Sequence, residues 1–142
     1  MYARVQDVTA LLGRIGVGVV FLAHGLQKWD MGLDGVTQMT TGMGIPLPTL
    51  SALFLIVVET VGAIAFMLGL ALPVLGVALA VDMVGAIFFV HLDHGLTGQG
   101  GYELVLALAA GALALGFNGG RLSLDHVLFW RRRAQRQELQ TA

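Results

Sequence analysis

Four mostly apolar stretches divide the chain, and short polar or glycine-rich segments separate them. They run from Val8 to Leu26, from Leu50 to Leu72, from Pro73 to Val90 and from Tyr102 to Phe117. A helix needs about 20 mostly apolar residues to cross the hydrocarbon core of a bilayer. The pattern therefore predicts an all-α membrane protein, a bundle of four transmembrane helices in which the last helix is short.

The segments that join these stretches differ in length. Trp29 to Thr49 is rich in Gly, Met and Thr and closes with two prolines, so we expect a short interfacial helix that folds back over the bundle. Between Gly69 and Pro73, a glycine ends one helix and a proline starts the next, which predicts antiparallel neighbours. His91 to Gly101 is predicted to be a turn at the membrane surface.

Composition agrees with this membrane class. Of 142 residues, 56% are hydrophobic and 12% are charged, whereas soluble domains carry about 25% charged residues. This apolar composition makes the lipid bilayer the expected environment. The net charge of −1 gives no basic surface for binding nucleic acid. The absence of cysteine excludes disulfides, thiolate metal sites and dithiol redox chemistry, and we predict no metal site.

Basic residues near the ends of the spans predict the orientation. Arg4 lies before the first span, and five arginines follow the last one, at positions 121, 131, 132, 133 and 136. Because basic loops stay on the cytoplasmic side, both termini are predicted to be cytoplasmic. We divide the chain into a membrane domain over residues 1–126 and a basic cytoplasmic tail over residues 127–142.

Ionisable residues inside the spans are the candidates for function, because a charge at membrane depth is costly and usually faces the bundle interior. Glu59 and Asp82 are expected near the midplane, and Arg14 is the predicted partner of one of them. Glu59 is the strongest single candidate. Near the outer surface, Lys28 is expected to pair with Glu103, in a hydrogen-bonded group that includes His24 or His91.

An ordered set of motifs resembles the DoxX family over nearly the whole chain. The set comprises Arg14 to Lys28 with His24-Gly25-Leu26-Gln27-Lys28, Gly44-Ile45-Pro46, Glu59-x-x-Gly62, Phe89-x-His91, Gly100-Gly101-Tyr102-Glu103 and Gly120-Arg121-Leu122-Ser123-Leu124-Asp125. The resemblance implies a multi-pass protein of the bacterial inner membrane, related to the DoxD-type subunit of archaeal thiosulfate:quinone oxidoreductase. The polar positions that it carries over are Arg14, His24, Lys28, Glu59, His91, Tyr102 and Glu103.

The leading hypothesis is a component of a membrane redox complex that binds a quinone or a similar small aromatic ligand between its helices. No covalently bound cofactor is expected, so the chain would be at most a quinone-binding or non-catalytic subunit of an oxidoreductase, with protein partners or further copies of itself. Two alternatives stay open. One is a proton-coupled small-molecule transporter that uses Glu59, and the other is a structural membrane anchor or assembly subunit.

Overall fold

The computed structural model describes residues 2–128, and all regular structure in this range is helical. Helix α1 covers Tyr2–Gly42, α2 covers Pro48–Leu68, α3 covers Leu72–His94 and α4 covers Glu103–Phe117. Residues 124–128 form a further short helical stretch. The predicted all-α class is confirmed for these residues, whereas residues 129–142, most of the predicted basic tail, lie outside the described range.

Three of the helices, α1, α2 and α3, are long and apolar enough to cross a membrane. Helix α4 is apolar but has only 15 residues. All four helices expose large apolar side chains, for example Val19, Val61, Val74 and Phe117. Apolar surface of this extent is rare on a water-soluble monomer and is compatible with lipid. The chain is therefore a membrane protein.

Helix α1 extends well beyond the predicted end of the first span at Leu26. It is interrupted at Gly32, whose φ of 71° and ψ of 167° are outside the helical region, and glycine tolerates this backbone at little cost. Residues 33–42, called the folded segment below, then resume the helix. Val36 of this segment packs against Ala52 and Ile56 of α2, which confirms that the segment predicted to fold back contacts the bundle.

The joint between α2 and α3 has the predicted glycine at the end of one helix and the predicted proline at the start of the next. Gly69 ends α2 with a φ of 78°, and α3 starts with proline in its first turn. Helices α3 and α4 then approach closely at a pair of glycines. A Cβ atom on Gly76 would lie 2.7 Å from the Ala112 carbonyl oxygen and 2.8 Å from the Gly116 Cα atom, so a side chain at this position would force the two helices apart.

Several hydrogen bonds between residues that are far apart in the sequence lie at one end of the bundle. The Asp7 carboxylate accepts a hydrogen bond from the Arg121 N–H at 2.7 Å. The Asp125 carboxylate accepts hydrogen bonds from the N–H groups of Ala71 and Leu72, both at 2.8 Å. The start of α1, the α2–α3 joint and the residues after α4 therefore meet at one end, and the folded segment lies at the other.

The apolar core lies between the helices and is formed by one cluster of buried side chains from α1 to α4. This cluster contains Phe21, Val58, Ala63, Phe66, Leu72, Leu79 and Ala112.

Candidate functional site

A cavity of about 440 Å³ lies between the four helices, on the side that the folded segment covers. This volume is within the range of about 300–1,000 Å³ that is typical of small-molecule sites. Its polar lining consists of His24, Gln27, Lys28, Glu59, Asp82 and His91. Five of the eight polar positions that the sequence predicts therefore line the same cavity.

Methionines form much of the apolar lining. Met31, Met39, Met43 and Met83 all face the cavity, and three of them come from the folded segment or the residues next to it. Phe21 also lines the cavity. Because methionine is flexible and its sulfur makes favourable contacts with aromatic rings, this lining can adapt to a flat aromatic ligand.

Lys28 and Glu59 form an ion pair at the polar wall of this cavity. The Lys28 Nζ and Glu59 Oε2 atoms are 2.6 Å apart, and the two side chains are 15% and 4% exposed. Asp82 on α3 is also buried and lies within hydrogen-bonding reach of Glu59 and close to the Lys28 charge. We call these three residues the carboxyl–lysine triad.

Local backbone features of α1 and α2 position Glu59. It lies in a π-helical turn at Val58–Gly62 that interrupts the α-helix, and such turns are frequent at functional sites. Gly25 of α1 packs directly on this turn, since a Cβ atom there would lie 2.6 Å from the Glu59 carbonyl oxygen. Trp29 Nε1 also donates a hydrogen bond to Thr60 Oγ1 at 3.2 Å, so two contacts hold the turn against α1.

The triad places two carboxyl groups beside one ammonium group. If both carboxyl groups were ionised, the triad would carry a net charge of −1 in a buried site, and the two carboxylates would repel each other. A hydrogen bond between Glu59 and Asp82 requires one proton that the two groups share. The triad can therefore hold a proton next to the cavity and can bind a polar group of a ligand.

The two histidines of the cavity are each fixed by a backbone carbonyl group. His24 Nδ1 donates to the Val20 oxygen at 2.8 Å, and His91 Nδ1 donates to the Gly100 oxygen at 2.8 Å. A carbonyl oxygen can only accept, so Nδ1 carries the hydrogen in both rings. In the neutral ring, Nε2 is then a hydrogen-bond acceptor.

The predicted pairing of Arg14 with Glu59 or Asp82 is wrong. Arg14 is fully buried, and its guanidinium group donates a hydrogen bond to the Leu122 carbonyl oxygen and interacts with the charge of Asp125. The reason is distance along the helix, because fourteen residues separate Arg14 from Lys28, about 21 Å at the α-helical rise. Arg14 therefore reaches the opposite end of the bundle.

The predicted pairing of Lys28 with Glu103 is also wrong, because Lys28 pairs with Glu59. Glu103 is exposed in the first turn of α4, where a carboxylate favours the helix N-terminus. Tyr102 directly precedes α4, and its backbone N–H donates to the Gly95 oxygen at 3.1 Å. Glu103, Tyr102 and Arg14 do not belong to the cavity lining, and a role for them in ligand binding stays a prediction.

Sequence reasoning did not identify three features of this site. Gln27 lines the cavity without being a predicted site residue, although its position next to Lys28 is a signal for it. The sequence shows that residues 29–49 are rich in Met but does not indicate that Met31, Met39 and Met43 line a cavity. The π-helical turn leaves no signature in the residue types of Val58–Gly62, so no pattern of apolar positions could predict it.

Comparison with known proteins agrees with these observations. The DoxX family model matches residues 9–92. The chain is 33% identical over 124 residues to "Putative oxidoreductase CatD" of Bacillus subtilis strain 168, covering 87% of this chain and 89% of that protein. It is 30% identical over 131 residues to "Inner membrane protein YphA" of Escherichia coli K12, covering 87% and 93%. No solved structure matches significantly. The chain therefore belongs to the DoxX family.

Proposed function

We propose that this protein is an inner-membrane component of a redox system and that its cavity binds a quinone or a similar small aromatic ligand. One observation carries the proposal. A cavity of about 440 Å³ is lined both by flexible methionines and by the carboxyl–lysine triad. Such a ligand needs both an apolar slot for its ring and polar groups for its oxygen atoms.

The electrons for such a reaction have to come from elsewhere. The chain contains no cysteine, and the side chains of the cavity can bind and exchange protons but carry no group that is suited to electron transfer. We therefore propose a partner protein or the ligand itself as the electron carrier. The name of the Bacillus subtilis relative, an oxidoreductase, supports a redox role.

The proposal includes a topology with four membrane spans and both termini in the cytoplasm. Helix α4 would be the fourth span, in spite of its 15 residues. The arginines at positions 4 and 121 lie near the end of the bundle where Asp7 and Asp125 make their contacts. Basic residues favour the cytoplasmic side, so the cavity and its folded segment would lie toward the outer side.

A second candidate function is proton-coupled transport of a small molecule. The observation that favours it is the Glu59–Asp82 pair, which can hold one exchangeable proton beside a cavity. A transporter of this kind would alternate between proton and substrate at the pair. The ion pair with Lys28 counts against it, because it keeps Glu59 neutralised when no proton is bound.

Photocrosslinking tests the leading proposal. A short-chain quinone with an azido group would be irradiated with the purified full-length protein, and the labelled peptides identified by mass spectrometry. Label on residues 31–43 or around Met83, removed by an excess of unlabelled quinone, is the expected result. Label spread over the lipid-facing surface and insensitive to competitor would refute the proposal. If the label is spread in this way and the protein takes up a small molecule into proteoliposomes in a proton-dependent manner, transport would be established instead.

A further inference from the structure

Helices α1 and α4 pack tightly in the half of the bundle that is remote from the folded segment. A Cβ atom on Gly13 would lie 3.0 Å from Leu115 Cδ2, and a Cβ atom on Gly111 would lie 3.4 Å from Val17 Cγ2. Small residues at both contacts let the two helices approach each other. The border between α1 and α4 is therefore closed in this half.

The same face of α1 lines the cavity in the other half. Val20, His24 and Gln27 follow Val17 at steps of three or four residues, so they lie on the face that contacts α4 further down. All three line the cavity, and His24 and Gln27 are also exposed. An exposed side chain that lines a cavity lies at its mouth.

The facing surface of α4 changes in the same way. Leu108 and Leu104 continue the face of Gly111 toward the folded segment, and both line the cavity. Leu104 is 58% exposed. The gap between α1 and α4 beyond their tight contacts is called the lateral opening below.

Three other borders of the cavity are held by direct contacts. Gly25 of α1 packs on the turn of α2 that carries Glu59. Val36 of the folded segment is fully buried and packs against α2. His91 Nδ1 donates to the Gly100 oxygen at 2.8 Å, which connects the end of α3 to the residues before α4. The border between α1 and α4 differs from these three because exposed side chains line it.

We infer that the lateral opening connects the cavity with the bilayer and holds the long hydrocarbon tail of a lipid-soluble ligand whose ring lies in the cavity. This inference rests on the proposed function and specifies a second part of its ligand. The opening extends from Val20 to Gln27, about 10 Å along the helix axis. Leu104 and Leu108 supply its apolar side.

The opening acts through space more than through affinity for the tail. A tail in lipid is already surrounded by hydrocarbon, so it gains little from contact with further apolar side chains. A tail that cannot leave the cavity, however, has to share about 440 Å³ with the ring. Blocking the opening should therefore weaken the binding of a tailed ligand and spare a ligand without a tail.

Calorimetric titration of the detergent-solubilised full-length protein tests this expectation. Two ligands share one benzoquinone ring, which carries a methyl group in one and a decyl tail in the other. Leu104→Trp narrows the opening, and Leu106→Trp adds the same side chain to an exposed position of α4 outside the cavity lining. Comparison of each variant with the natural protein cancels the partition of the decyl ligand into micelles.

We expect Leu104→Trp to bind the decyl ligand about tenfold or more weakly than the natural protein, and the methyl ligand within about threefold. Leu106→Trp should bind both ligands as the natural protein does. Equal losses for both ligands in Leu104→Trp, or no loss for either, would overturn the inference and leave the proposed function intact. If neither ligand binds the natural protein, the proposed function fails and the inference fails with it.

Photocrosslinking locates the tail directly. A diazirine at the end of the decyl tail should label residues 20–27 of α1 or Leu104 and Leu108 of α4. Label around Leu55 and Val90, which line the cavity on α2 and α3, would contradict the assigned border. A phospholipid with a diazirine in its acyl chain is the second probe. If it labels the lateral opening and the unlabelled decyl ligand does not remove that label, the opening holds membrane lipid and the inference is wrong.

Discussion

Removing the positive charge of Lys28 is expected to destabilise the protein more than removing either carboxylate. Lys28 is the cation of the triad, and its side chain is only 15% exposed beside Glu59 at 4%. In Lys28→Met, Glu59 and Asp82 still share one proton, and their remaining negative charge stays buried without a cation beside it unless a second proton binds. In Glu59→Gln, Lys28 still has Asp82 close by.

The loss of stability depends on which charges remain buried after each substitution. Removing one partner of a buried ion pair costs about 3–5 kcal/mol, because the other charge stays buried and unpaired. We expect Lys28→Met to reach this range and Glu59→Gln to cost about 1–2 kcal/mol, since Asp82 replaces part of the lost interaction. The double variant should be more stable than the sum of both changes predicts, by about 1–3 kcal/mol.

The assay is unfolding of the purified protein in mixed micelles by increasing SDS, followed by circular dichroism. Glu103→Gln is the matched control, because Glu103 is exposed and should change the free energy of unfolding by less than about 0.5 kcal/mol. If Lys28→Met matched this control, or if Lys28→Met and Glu59→Gln were simply additive, the triad would not be an interacting unit.

Three further predictions concern the fold. Gly76→Ala should cost about 1–3 kcal/mol because its Cβ atom would meet α4 at 2.7 Å, whereas Gly85→Ala, which meets no atom within 4 Å, should cost nothing in the same SDS titration. Asp125→Ala should lower the melting temperature by removing two hydrogen bonds at the start of α3; an unchanged value would contradict this capping. A cysteine at exposed Asp34 should react with an impermeant maleimide on intact cells, and labelling only after permeabilisation would reverse the proposed topology.

Most of the fold could be predicted from the sequence because long apolar runs and their glycine and proline boundaries have local causes. The end of α2 at Gly69 and the start of α3 before Pro73 are an example. The end of α1 could not be predicted in this way. Its helix resumes after Gly32 because Val36 finds a buried place beside Ala52 and Ile56, and such a contact depends on the packing of the whole bundle.

The sequence indicates which polar residues need partners better than it indicates which partners they have. Depth within the membrane indicates that Lys28, Glu59 and Asp82 need polar partners, but depth does not determine which partner lies nearest. The π-helical turn and the close approach of Gly25 bring Glu59 to Lys28, while Arg14 is bound to the Leu122 carbonyl group instead. Tertiary packing determines these pairings, and residue spacing alone does not predict it.

The most direct test of ligand binding is whether a quinone-type ligand copurifies with the protein in its cavity. The protein would be extracted in mild detergent and analysed by native mass spectrometry, beside Ala86→Trp, which fills the cavity, and Ala107→Trp, which adds the same side chain to an exposed position of α4. We expect one quinone or quinol per chain in the natural protein and in Ala107→Trp, and its loss in Ala86→Trp. Equal amounts of ligand in all three, or none in the natural protein, would contradict it.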